Sequence, residues 1–184
     1  ARHGRGVTRH RPTVLRPVPT VAPHSARISP STERSGPWVG QAQYHRLMGA
    51  WGSGIYDNDD AADWAHGLDE GGLDLIRSTL DAVTPGSVDA DTGAAALAAA
   101  DVIARLRSGG GEQSPYAESV MSWVDQHDDD PAWMALIPAA RAAVVAVRDE
   151  SSELYELWAE DASSLSDWLL ILDELDARLI DDNR

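Results

Sequence analysis

Residues 48–184 read as an all-α domain, a compact bundle of about seven helical segments preceded by a disordered basic segment. Three observations predict this. Apolar residues recur at three- and four-residue spacing in successive segments. Ser-Pro and Asp-Pro starts, with Gly-Gly and Pro-Gly stops, punctuate those segments. The charge also changes sign at Met48. Residues 1–47 hold eight Arg and one acid, Glu33, a net +7, whereas residues 48–184 hold seven Arg and 29 acids, a net −22.

Pro12, Pro17, Pro19, Pro23, Pro30 and Pro37 are scattered through residues 1–47 among Arg, Ser, Thr and His. No helical or strand period survives there, so the segment buries too little apolar surface to offset the entropy of ordering it and is expected to be disordered. It fits a basic binding arm, an Arg-rich transit segment, or upstream sequence translated ahead of a natural start at Met48. The last is favoured, because the chain opens with Ala, Met48 is the first methionine, and the composition changes there.

After Met48, Gly49, Gly52 and Gly54 interleave with Trp51, Ile55 and Tyr56, which suggests a tightly turned segment whose large side chains pack on the domain and leaves a β-hairpin within 48–56 open. Asp57, Asn58, Asp59 and Asp60 supply a cap and first-turn acids for a first helix carrying Ala61, Trp64, Ala65 and Leu68, ended by Gly71-Gly72. A second helix runs from about Leu73 to Val83 and stops at Pro85-Gly86. The third, from about Asp91 to Arg107, is apolar nearly all round and therefore central and buried. Asp101 interrupts it, and Arg105 four residues on is expected to make a solvated ion pair with it.

Gly109, Gly110 and Gly111 read as a linker, after which Ser114-Pro115 starts a fourth helix and Asp130-Pro131 a fifth, which Pro138 should break or kink. The Ala-rich run before Val144, Val145 and Val147 argues for helix over strand there. A further helix holds Leu154, Leu157 and Trp158. The last is expected to begin at Ser164, with Asp167 at the capping-box position and Trp168, Leu169, Leu172, Leu175 and Leu179 as its inner stripe.

The opening residues 48–59, Met-Gly-Ala-Trp-Gly-Ser-Gly-Ile-Tyr-Asp-Asn-Asp, resemble the start of a bacterial domain-of-unknown-function family, number 4259 in its series. Residues 94–106, 152–158 and 168–179 add to the likeness, which spans essentially all of residues 48–184. The resemblance supports Met48 as the start and implies no reaction, ligand or catalytic residue. The N-terminal extension departs from the family pattern.

Composition excludes several functions. The chain has no Cys, so disulfides, zinc-thiolate sites and thiol nucleophiles are absent. No apolar run approaches about 18 residues and no secretory signal pattern is present, so no membrane association and a cytoplasmic location are expected. No Gly-x-Ser-x-Gly elbow and no phosphate-cradling glycine motif occurs. Without a basic patch, residues 48–184 are not expected to bind nucleic acid.

Two clusters remain that could carry chemistry. Asp57 and Asp59 alternate as oxygen ligands of a hard cation do, with Asp60 beside them, but acids are expected at a helix start in any case. His127 with Asp128, Asp129 and Asp130 offers a histidine and carboxylates in one loop. If the clusters met in space, a metal-dependent hydrolase would follow, so this reading requires Asp57 or Asp59 within bridging reach of His127 or its neighbouring aspartates. Trp123 and Trp133 are the candidates for exposed anchors at a partner interface. The preferred reading is a binding module of inhibitor, immunity or adaptor type for a basic partner, without a cofactor, using Trp51, Asp57, Asp59, Asp60, Trp123 and Trp133. A structural role using the helix over residues 168–179 as an association surface is the third reading, in which Leu175→Asp would disrupt self-association; the oligomeric state stays open.

Overall fold

The computed structural model describes residues 52–180. The expected disorder of residues 1–47, the domain start at Met48 and the candidate Trp51 lie outside them. Among the described residues there are seven α-helices and no strand. They are α1 (Asp59–His66), α2 (Leu68–Asp81), α3 (Ala90–Ser108), α4 (Glu118–His127), α5 (Ile137–Val147), α6 (Glu153–Trp158) and α7 (Ala162–Ile180). Short 3₁₀ turns at Pro115–Ala117 and Pro131–Leu136 lead into α4 and α5. Residues 52–58 form bends and a turn rather than a hairpin strand.

The centre is α3, as its all-round apolar sequence predicts. Every other helix packs against it, α5 and α7 most extensively. Its alanines explain how: Ala96, Ala98, Ala99 and Ala100 are buried on different sides of the helix, and side chains this small let neighbours approach from several directions. Gly93 extends the effect, since a Cβ there would stand 2.7 Å from Leu154 Cδ1 of α6.

Local chemistry sets the ends of the helices. Asn58 Oδ1 accepts from the Ala61 amide at 2.8 Å and caps α1. Asp89 does the same for α3 through the Thr92 amide, and the Glu153 carboxylate of α6 accepts from the Ala90 amide at 3.0 Å. The first helix ends at His66 with Gly67 as its C-cap, earlier than expected, and Leu68 opens α2; Gly71-Gly72 instead marks a kink inside α2, where Gly72 adopts φ 52°, a conformation that favours glycine. Pro138 does not break a helix. It lies in the first turn of α5, where a missing N–H has no intrahelical partner to lose. The last helix begins earlier than expected, and its cap is Asp161, which accepts from the Ser163 and Ser164 amides at 3.0 and 2.9 Å. Asp167 plays no capping-box role, because Ser164 is already within the helix.

Of the predicted inner stripe of α7, Trp168, Leu172, Leu175 and Leu179 are buried, and Leu169 is partly buried at its edge. That burial corrects the notion of this stripe as an association surface, since Leu175 faces α7's own domain and is 0% exposed. On the outside, Arg141 pairs with Asp176 at 3.1 Å and Arg148 with Asp173, which ties α5 to α7. No single helix among the described residues is long and apolar enough to cross a membrane.

Candidate functional site

A buried polar network lies against the middle of α3. Asp101 is 0% exposed, and it is there because α3 is surrounded on all sides. Its Oδ2 accepts from Arg105 Nε at 2.6 Å and from the Tyr56 hydroxyl at 3.0 Å. Its Oδ1 accepts from Arg178 Nη2 of α7 at 2.5 Å. The pairing of Asp101 with Arg105 is as expected from the sequence, but its solvation is not: Arg105 is only 3% exposed. Packing of α7 and the residue 52–57 turn over α3 removes the water that an isolated helix would offer the pair.

A carboxylate taken out of water needs compensation by pairing and hydrogen bonds. Asp101 has two guanidinium groups and a phenol. Tyr56 is itself fully buried, and burial, followed by the charge of Asp101, pushes its phenol well above the usual tyrosine range, so it stays protonated and donates. Burial works against the charge of Arg105, but Asp101 outweighs it and the arginine's pKa is raised. Arg105 Nη2 also donates to the Glu112 carbonyl at 2.8 Å. Arg178 Nε and Nη1 are buried without a hydrogen-bond partner, so its compensation rests on Asp101.

The glycines around this network are close-packed parts of it. Gly111, with φ 92°, covers both guanidinium groups: a Cβ there would stand 2.8 Å from Arg105 Cζ and 2.9 Å from Arg178 Nη1. The sequence reading of this stretch as a mere linker is corrected accordingly. On the other side, Gly54 leaves room for the Glu112 carboxylate, which would lie 2.4 Å from a Cβ, while the Gly54 amide donates to Asp57 Oδ2 at 3.2 Å. Burial, and then the nearby Asp57, raise the Glu112 carboxyl above its ordinary value.

The sequence-predicted site residues do not gather at one place. Asp57 holds the 52–57 turn. Asp59 and Asp60 occupy the first turn of α1. Burial, then Asp91, Asp59 and Asp63, raise the Asp60 carboxyl. Trp123 and Trp133, expected as exposed anchors, are 2% and 4% exposed and belong to the core. In a chain without Phe, tryptophan supplies the aromatic volume. His127 stacks on Trp123 at 4.1 Å between ring centroids, and its Nδ1 lies 2.7 Å from the Trp123 carbonyl oxygen. Asp130 caps the following 3₁₀ turn through the Ala132 amide. Among the described residues no group of three or more histidines and carboxylates is arranged to hold a metal ion, so the convergence that the hydrolase reading requires is not formed by the Asp57/Asp59 and His127/Asp128/Asp129/Asp130 clusters.

The chemistry open to the network follows from its geometry. Both oxygens of Asp101 are occupied by the protein's own donors and the carboxylate is sealed from solvent. The network joins the opening turn, α3, the 109–112 loop and α7. A match to a family model spans residues 49–170 and carries the opening turn, Asp101, Arg105 and Glu112 within it. The chain belongs to the family described as Domain of unknown function (DUF4259). No curated protein and no solved structure matches it. Within the DUF4259 region, the Tyr56–Asp57 part of the opening motif has a physical account: Tyr56 plugs the core on Asp101, and Asp57 shapes the turn that delivers it. Arg178 lies beyond the matched residues and completes the network from α7.

Proposed function

We propose that the DUF4259 domain is a cytoplasmic protein-binding module for a basic partner, of inhibitor, immunity or adaptor type. The observation that carries this reading is where the domain's own positive charge goes. Four of the seven arginines in residues 48–184 are engaged by internal carboxylates: Arg105 and Arg178 by Asp101, Arg141 by Asp176 and Arg148 by Asp173. Seven arginines cannot neutralise 29 acids, so residues 48–184 keep a net charge of −22. Crowding of Asp59, Asp60, Asp63 and Asp91 is one result, and a basic surface would relieve it. A field of this sign speeds encounter with a cationic protein and repels nucleic acid.

The test is affinity capture from host lysate with the full chain as bait, at low and high salt, beside a variant carrying Asp59→Asn, Asp60→Asn and Asp63→Asn. A basic protein held at low salt, released at high salt and weakened by the triple substitution is the expected result. A bait that holds no basic protein at low salt overturns the reading. Capture indifferent to the substitutions moves the contact away from α1.

A further inference from the structure

Gly54 lies between two carboxylates from distant parts of the chain. Its amide donates to Asp57 Oδ2 at 3.2 Å, and a Cβ at Gly54 would stand 2.4 Å from Glu112 Oε2. Asp57 closes the turn again through its own amide, which donates to the Gly54 carbonyl at 3.1 Å. Two acids therefore grip one residue of the turn that carries Tyr56 to Asp101. Asp57, Gly54 and Glu112 are all partly buried, between the water that would screen them and the core that excludes it.

The charges around Glu112 come from three elements. Asp57 faces it from the opening turn and Asp101 from α3, and both oppose a further negative charge. Arg105 of α3 is the cation on this side, but its Nε is given to Asp101 and its Nη2 to the Glu112 backbone carbonyl. Arg178 of α7 lies at Gly111 and turns to Asp101.

We propose that Gly54, Asp57 and Glu112 form a proton-operated latch, in which a proton on Glu112 holds the opening turn against the 109–112 loop and its loss loosens the turn. With both carboxyls ionised, like charges stand on either side of Gly54 in a place where water screens them poorly. Swinging the turn outward separates them and returns Glu112 to solvent. Tyr56 travels with the turn, so opening withdraws the phenol from Asp101. Burial, then Asp57, raise the Glu112 carboxyl, while the Ile55 amide opposes them. The closed turn thus holds this proton more tightly than the open one. Closure is fully favoured below the open-state value and weakens as pH rises through the closed-state value. The latch needs no partner, so it stands apart from the function proposed above.

The experiment is native-state hydrogen exchange on the full chain over about pH 4–7, corrected for intrinsic exchange rates. The Gly54 and Asp57 amides report the turn, and those of Val102 and Ile103 report unfolding of α3. The turn amides should open more readily than those of α3 at every pH. Their opening constant should rise with pH and then level off, and Glu112→Gln should lose this dependence. A carbon-detected NMR titration of the wild type should find the Glu112 carboxyl above the ordinary glutamate value, and Asp57→Asn should bring it down.

Turn opening indifferent to pH, or falling as pH rises, overturns the proposal. So does a pH dependence that survives Glu112→Gln. Equal protection of the turn and α3 also overturns it, since the turn would then open only when the domain unfolds. A Glu112 carboxyl that titrates at or below the ordinary value does the same, whether or not either variant folds.

Discussion

The Tyr56 hydroxyl donates to Asp101 Oδ2 at 3.0 Å across a separation of 45 residues. This bond fastens the opening turn of the domain to its central helix, at a carboxylate that also receives Arg105 and Arg178. Removing Asp101 takes away the carboxylate that both guanidinium groups share. Asp101→Ala should cost about 3–5 kcal/mol of folding stability, read by urea denaturation. Tyr56→Phe removes one hydrogen bond to a charged group and leaves the ion pairs, so about 1.5–3 kcal/mol is expected. A smaller loss for Asp101→Ala than for Tyr56→Phe would show that the charges are not the core of the network.

Gly111 and Gly86 separate strain from crowding. Both have positive φ, 92° and 82°, so alanine at either is strained by about 1–2 kcal/mol. At Gly86 nothing lies within 4 Å of the added Cβ, whereas at Gly111 it meets Arg105 Cζ at 2.8 Å. Gly111→Ala should therefore lower the melting temperature more than Gly86→Ala. Equal losses would mean that the loop moves aside freely.

Glu112 makes a pH prediction. Its carboxyl is raised from 4.5, first by burial and then by Asp57. The folded state then holds this proton more tightly than the unfolded state. The group's contribution is fully present below the unfolded value and is lost as pH rises through the folded one. Glu112→Gln should be more stable than wild type at neutral pH, with the difference vanishing in acid below the unfolded value. Chemical denaturation of both proteins across that range checks the sign.

Asp161 works in the opposite sense. Hydrogen bonds from Ser163 and Ser164 lower its carboxyl to about 2 from 3.8. Its contribution is present above the unfolded value and is lost as pH falls through about 2. Asp161→Ala should melt below wild type at neutral pH, and the two curves should converge toward pH 2. A constant offset at every pH would point to packing rather than to the ionised cap.

The candidate site was only partly legible in the sequence. Asp101 and Arg105 stand at helical spacing, and their pairing followed from that spacing alone. Their burial depended on α7 and the 52–57 turn, which come from distant parts of the chain, and Arg178 joins the site from 77 residues away. An ionisable residue inside a helix apolar on every side was the one visible sign. The tryptophans show the same limit: Trp123 lay at the edge of an apolar stripe, and whether that edge meets water or a neighbouring helix is not a local property.

What the sequence by itself determined is the list of elements and most of their ends. Periodicity, side-chain caps, Gly72 and the Pro-containing starts act over a few residues, so their effect can be read from those residues. It also determined that α3 would be central, because a helix without a polar face has no side to give to solvent. Tertiary structure decided which polar groups leave water, which aromatic rings are covered and which carboxylates meet. Those outcomes depend on desolvation and Coulomb energy between groups far apart in the chain, and they take values only once the helices have packed.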